Sequence, residues 1–181
     1  KYNNMSQKIY HKQHVVPIGI WYYKAKRKQF GDMDKQRLIY TGILHPVMGV
    51  SLAIYSLPEL IKLYPKIHLD IIGGGEGLKE LQDLSKELNV SRNITFYGWV
   101  KERKELESLL SSATIGLAPF NTILLKNDDK IKNADPAKIK DYLLMGLPVI
   151  LTNAVSTSNS LKKAKCALVI KYNNKDFINA V

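Results

Sequence analysis

Cysteine is nearly missing: Cys166 stands alone. No disulfide can close within the chain, no cysteine-built metal cluster is available, and a reducing compartment suits it. Long apolar runs are absent too. None approaches the ~18 residues that a spanning helix needs. The opening Lys1-Tyr2-Asn3-Asn4 is polar and does not read as a signal peptide. A starting Met is missing, and Ile178-Asn179-Ala180-Val181 carries no closing signal, so the expectation is a piece of a longer protein. Hydrophobic residues make up 45% and charged residues 24%, which disfavours long disorder and collagen-like repeats. A length of 181 residues suffices for one domain with its own core and is short for two.

Arginine and acidic residues are scarce. Arg27, Arg37, Arg92 and Arg103 are the only arginines, yet the net charge is +11, so the positive charge is almost all lysine. Lysines are scattered among Asn and Ile, as in a compositional bias. The densest group, Lys24, Lys26, Arg27 and Lys28, suits an anionic membrane face or a nucleic acid. A solvated linker is the simpler account. Aromatics do not interleave with basic residues as on single-stranded nucleic-acid platforms, and no nucleic-acid partner is expected. Further chemistry is excluded by missing motifs. There is no Gly-x-Ser-x-Gly elbow and no Gly-x-Gly-x-x-Gly. His11, His14, His45 and His68 have no metal-ligand spacing.

The rest alternates. Residues 1–35 have no sustained period and read as an interdomain linker, with an apolar stretch at Val15–Ile20 that would make one short strand. From residue 36 on, short apolar runs bounded by Gly or Pro read as strands: Leu38–Thr41, Ile67–Ile72, Asn93–Gly98, Thr114–Ala118, Pro148–Thr152 and Ala167–Ile170. Between them lie helical patterns. Val50, Ala53, Ile54, Leu57, Leu60, Ile61 and Tyr64 recur at threes and fours, with Pro58 expected to kink that helix or move its start. Leu78, Leu81, Leu84 and Leu88 mark a second helix, and residues 103–112 a third. Asp135 as N-cap and Pro136 as first residue open a helix that runs to Met145, and a short basic helix is expected at Leu161–Lys165. Strict alternation predicts a Rossmann-like three-layer α/β/α domain over 36–181, on a mostly parallel sheet of about six strands.

Ligands of such sheets bind beyond the carboxyl ends of the strands. Those ends here are Gly42, Gly73–Gly77, Gly98–Val100, 119–134 and 152–160. The glycine-rich Gly73-Gly74-Gly75-Glu76-Gly77 is either a phosphate cradle or a tight turn. The irregular 121–134 stretch has the length of a functional or mobile loop. On the Pro136 helix, Lys138 and Asp141 share one face while Ile139, Tyr142 and Leu143 take the other. The plain expectation for that pair is an exposed ion pair worth well under about 1 kcal/mol. The functional alternative has Asp141 accept from sugar hydroxyls while the helix's free N–H groups hold a diphosphate.

Four stretches in order carry a resemblance: Leu38–Val50, Leu69-Asp70-Ile71-Ile72-Gly73-Gly74-Gly75, Ile94–Val100, and Lys138-Ile139-Lys140-Asp141-Tyr142-Leu143-Leu144-Met145-Gly146-Leu147-Pro148-Val149-Ile150. Together they resemble the C-terminal, donor-binding half of GT-B glycosyltransferases, most closely glycosyltransferase family 4. The resemblance implies one half of a GT-B fold and a retaining transfer from a nucleotide-diphosphate sugar, for a cell-surface polysaccharide or glycoconjugate. The donor is a substrate, so no cofactor and no metal are implied. It also implies an acceptor-binding N-terminal domain of the same parent protein, outside this chain, without which the chain alone would be inactive. A cytoplasmic location follows, with peripheral contact at the inner membrane face.

The implied donor-binding set is Gly42, Gly74, Trp99, Val100, Asn133, Ala134, Asp135, Lys138 and Asp141, with no catalytic residue assigned. Asp141 falls where the family's ribose carboxylate, usually Glu, lies, and Trp99 and Val100 where the base rests. The family's other acidic position is Asn133, or Asp135 if the loop shifts by two. The Arg and Lys that usually meet the leaving diphosphate are replaced by Ile43 and Met48. That replacement implies a relocated cation, weak donor binding, or a non-catalytic binding or regulatory relative.

Overall fold

Six short apolar runs become six short strands, and the face each side chain takes follows from the period of two. In a computed structural model that describes residues 36–125 and 129–181, these are β1 (Arg37–Thr41), β2 (His68–Ile72), β3 (Ile94–Gly98), β4 (Ile115–Ala118), β5 (Val149–Thr152) and β6 (Ala167–Ile170). All pairings are parallel, in the order β3-β2-β1-β4-β5-β6. The expected linker at 1–35 lies outside the described residues, with Val15–Ile20, His11, His14 and the basic cluster at 24–28.

Parallel strands need crossovers, and helices supply them on both faces. The helices are α1 (Val50–Leu63), α2 (Leu78–Glu87), α3 (Arg103–Ser112), a short α4 (Asp129–Lys132), α5 (Ala137–Leu144), α6 (Ser158–Lys163) and α7 (Asn174–Ala180). Leu38, Tyr40, Leu69 and Ile71 pack with Ile54, Leu57 and Leu60 of α1, with Leu81 and Leu84 of α2, and with Phe177 of α7. Ile39, Ile72, Ala118 and Leu151 pack on the other face with Leu110 of α3 and with Ile139 and Tyr142 of α5. This is the expected three-layer α/β/α architecture.

Four local expectations change. Pro58 does not move the start of α1, which runs from Val50 to Leu63 with the proline inside it. It withdraws one N–H from the helix, but Leu57 and Leu60 on either side are fully buried, and packing keeps the helix continuous. The N-cap of α5 is Pro136, not Asp135, and no side chain caps it. Asp135 is instead ion-paired with Lys140, a charged partner that the cap would have to forgo. The short basic helix begins at Ser158, earlier than Leu161. Finally, α7 had no counterpart in the sequence reading. Asn173 caps it by accepting from the Asp176 N–H at 2.8 Å, and its Phe177 is fully buried.

The centre of the sheet is held open by one residue. β1 and β4 pair only at Leu38–Ile115 and Ile39–Gly116. Beyond that point the Tyr142 hydroxyl enters between them, accepting from the Thr41 N–H at 2.8 Å and donating to the Leu117 carbonyl at 3.2 Å. Gly116 makes the room, since a Cβ there would lie 2.5 Å from the Tyr142 ring. Burial pushes the Tyr142 phenol pKa up, so it remains a neutral bridge. Tyr142→Phe leaves the buried Thr41 N–H without its partner. We expect a loss of about 1–3 kcal/mol, read as a lower urea midpoint.

Candidate functional site

β1 and β4 are neighbours whose chains wind away in opposite directions, so a crevice must form beyond their carboxyl ends. A cavity of about 760 Å³ lies there. Its wall comes from the end of β1 (Thr41, Gly42), the turn after β3 (Trp99, Val100), the segment before α5 (Asn133, Ala134, Asp135) and the exposed face of α5 (Lys138, Asp141). Of the nine residues named from the sequence, eight line this one cavity. Gly74 does not. It backs the Trp99 indole instead, where a Cβ would come within 2.6 Å of Nε1.

The glycine-rich segment is a tight strand-to-helix turn tied down by two of its N–H groups. Gly73 N–H donates to the Gly98 carbonyl at 2.7 Å and Gly77 N–H to the Leu44 carbonyl at 2.9 Å. Gly73 sits at φ +131, and a Cβ there would meet the Gly42 carbonyl oxygen at 1.9 Å, so the ends of β1 and β2 touch through glycine.

Lys138 and Asp141 share the cavity face of α5 but do not pair with each other. The Lys138 ammonium donates to the Tyr40 hydroxyl at 2.9 Å, lies 4.0 Å from the centre of the Tyr40 ring and 5.6 Å from that of Phe120. Gly42 completes its enclosure. Among the described residues no carboxylate lies against it. The charged end of Lys138 lies against two aromatic rings, and desolvation pushes its pKa down to about 7. Tyr40 in turn donates to the Ile43 carbonyl at 2.8 Å. Asp141 accepts from Arg103 Nη1 at 2.9 Å through Oδ1.

The rest of the wall is largely apolar. Ile43, Met48, Ile72, Leu106, Phe120 and Ile131 contribute to it. Ile43 and Met48, which hold the positions of the missing cations, both face the cavity. Trp99 is 63% exposed at the rim, unusual for so large an aromatic. Ile131 places the end of the irregular loop in the same wall. Arg103, Tyr40 and Phe120 were not singled out in the sequence. Their contacts join residues far apart in the chain, which no local pattern marks.

The fold and this geometry can be set against known proteins. The profile of the family described as "Glycosyl transferases group 1" matches residues 23–181. A GDP-mannose-dependent alpha-(1-6)-phosphatidylinositol monomannoside mannosyltransferase of Mycolicibacterium smegmatis is 33% identical over 70 residues, 39% of this chain and 18% of that protein. Among solved structures, WaaG, a glycosyltransferase involved in lipopolysaccharide biosynthesis, superimposes with a TM-score of 0.69 at 19% identity, over 92% of this chain and 46% of that one. A variant of S. aureus TarM, in complex with fondaparinux, alpha-GlcNAc-glycerol and UDP, superimposes with a TM-score of 0.70 at 12% identity, over 96% of this chain and 34% of that one. At those identities the structural likeness speaks to fold. This chain spans less than half of each of these proteins. With the family profile covering most of its length and a six-stranded parallel sheet flanked by helices, the chain belongs to the group 1 glycosyltransferases and has the Rossmann-like fold of a GT-B half.

Proposed function

We propose that this chain is the donor-binding half of a retaining glycosyltransferase, and that the cavity between β1, β4 and α5 holds a nucleoside-diphosphate sugar. The observation that carries the reading is the enclosed Lys138 ammonium, set beside Asp141 at the mouth of the sheet with no carboxylate against it among the described residues. A buried cation without a counter-ion is costly, and an anionic ligand removes that cost. The first-turn N–H groups of α5 add a positive dipole end at the same wall.

In this reading Lys138 takes the role left vacant by Ile43 and Met48 and meets the diphosphate. Asp141 accepts from the ribose hydroxyls, Trp99 and Val100 contact the base, and Asn133, Ala134 and Asp135 surround the sugar. In the transfer, the bond from the anomeric carbon to the diphosphate oxygen breaks and its electron pair leaves with the diphosphate. An acceptor hydroxyl oxygen forms the new bond and releases its proton. Negative charge therefore builds where Lys138 sits, so the lysine binds the transition state better than the ground state. The acceptor would come from a second domain of the same parent protein. That TarM variant was solved with UDP, which supports a nucleotide as a ligand of this fold.

Titration of the chain with UDP, GDP and ADP, followed by amide NMR, should shift Gly42, Val100, Lys138 and Asp141. No shift at millimolar nucleotide overturns the reading. Trp99→Ala should weaken the best-bound diphosphate by about 1–3 kcal/mol, the usual cost of losing a base-stacking ring. Calorimetry of the same titration measures it.

Ile43 and Met48 in the wall favour a second reading, a binding or regulatory relative without transfer activity. Under it, the parent protein transfers no sugar, with or without Lys138→Ala. Under the first reading, that variant loses transfer.

A further inference from the structure

We infer that Arg103 is a positioning residue: it reaches from α3 to the Asp141 carboxylate on α5 and fixes it to read a ribose cis-diol, which makes the site selective for ribonucleotides. This deepens the donor-site reading and rests on it.

Arg103 is the first residue of α3, four and three positions after the cavity residues Trp99 and Val100. Its guanidinium is held at two edges. Nε donates to Glu107 Oε1 at 2.9 Å, one turn along α3, and Nη1 donates to Asp141 Oδ1 at 2.9 Å. The fork therefore spans from α3 to α5 beside the cavity. Asp141 is only 18% exposed and lines the cavity itself. With Oδ1 engaged, Oδ2 accepts no hydrogen bond among the described residues.

One physical consequence follows. A short carboxylate whose Oδ1 is held by Arg103 Nη1 at 2.9 Å has the swing of its second oxygen narrowed. A ribose diol needs that oxygen in one place. The pair is thus unlike an exposed i,i+4 pair on one helix, which would contribute little.

The test uses the chain as it stands, with UDP, GDP and their 2′,3′-dideoxy counterparts, by calorimetry at pH 7. The unaltered chain should prefer the ribonucleotide by about tenfold, as one hydrogen bond to a charged group implies. Arg103→Ala should collapse that preference to about twofold or less and leave the dideoxy affinity near its original value. Arg103→Lys, which keeps the charge and loses the fork, should fall between. In an Asp141→Asn background, Arg103→Ala should change the preference no further, because the two residues act as one unit. The inference is overturned if Arg103→Ala weakens both kinds of nucleotide in parallel or leaves the preference intact. It is also overturned, with the donor site left standing, if the unaltered chain binds both kinds equally. If no diphosphate binds at all, the donor-site reading falls and takes this one with it. Should Arg103→Ala fail to fold, the lysine variant and the Asp141→Asn chain still decide the ratio.

Discussion

Lys138→Met should lower diphosphate affinity by about 100-fold while stabilising the empty chain by about 1–2 kcal/mol. Both effects have one cause. The ammonium is enclosed by Tyr40, Phe120 and Gly42 with no carboxylate against it among the described residues. Methionine has nearly the same shape and no charge to desolvate. Tyr40 remains satisfied, because it still donates to the Ile43 carbonyl. A side chain that costs stability and is needed for binding is the mark of a functional site.

The pH dependence separates this cause from simple packing. In the folded chain Lys138 has a pKa of about 7, whereas an unfolded lysine titrates near ~10.4. Between these values the unfolded state binds more protons, so stability rises with pH. Below about pH 7 the lysine is charged in both states and the full penalty applies. The advantage of Lys138→Met should therefore be largest at pH 6–7 and shrink towards pH 10, seen as converging melting temperatures. Ligand binding runs the other way. A diphosphate favours the ammonium, so affinity should fall as pH rises from 7 to 9, where the phosphate's own second proton, with a pKa of ~6, is already gone. In that window Lys138→Met should be flat. A wild-type affinity that also stays flat would sink the assignment of Lys138 to the diphosphate.

Arg37→Ala should destabilise the fold by about 3 kcal/mol, which shifts the urea midpoint by about 1–3 M. Asp70 sits in the middle of β2 with its side chain wholly buried. Arg37, at the start of β1, meets both of its oxygens, one through Nε and one through Nη2 at 3.0 Å. Tyr97 lies 3.4 Å from the same guanidinium, and His68 is held by Thr95 at 2.8 Å with its Nε2 3.7 Å from Asp70. Asp70 in turn raises the Arg37 pKa, chiefly through their hydrogen bonds. Truncating the arginine strands a carboxylate in the sheet. Arg37 is itself a quarter exposed, which keeps the cost at the lower end of the usual range for broken buried pairs. Replacing both residues by leucine should cost less than Arg37→Ala alone, since no charge is then left without a partner. A double variant worse than the single one would show that the pair contributes through shape instead of charge.

The positions of the elements were legible because their causes are short-ranged. A buried strand needs a short, mostly apolar run between breakers, and Leu38–Thr41 or Val149–Thr152 contains that pattern entirely. The face shared by Lys138 and Asp141 was legible for the same reason, since three residues along a helix return to one side. Even the place of the cavity followed from the alternation of strands and helices, because crevices form beyond the carboxyl ends of a parallel sheet.

Partners were not legible. The sequence allowed Lys138 and Asp141 to pair with each other, and it allowed Asp135 to cap α5. In the folded chain Lys138 finds Tyr40, 98 positions away, and Asp141 finds Arg103, 38 positions away. Asp135 turns to Lys140. The Tyr142 hydroxyl bridges Thr41 and Leu117, and α7 is held by burying Phe177 against a helix from the other end of the domain. Composition and period determined that this chain makes a parallel α/β layer with a mouth at its centre. Which charges face that mouth, and whether each is neutralised, was decided only when distant segments met, because electrostatic and packing energies depend on separation in space and a sequence records only separation along the chain.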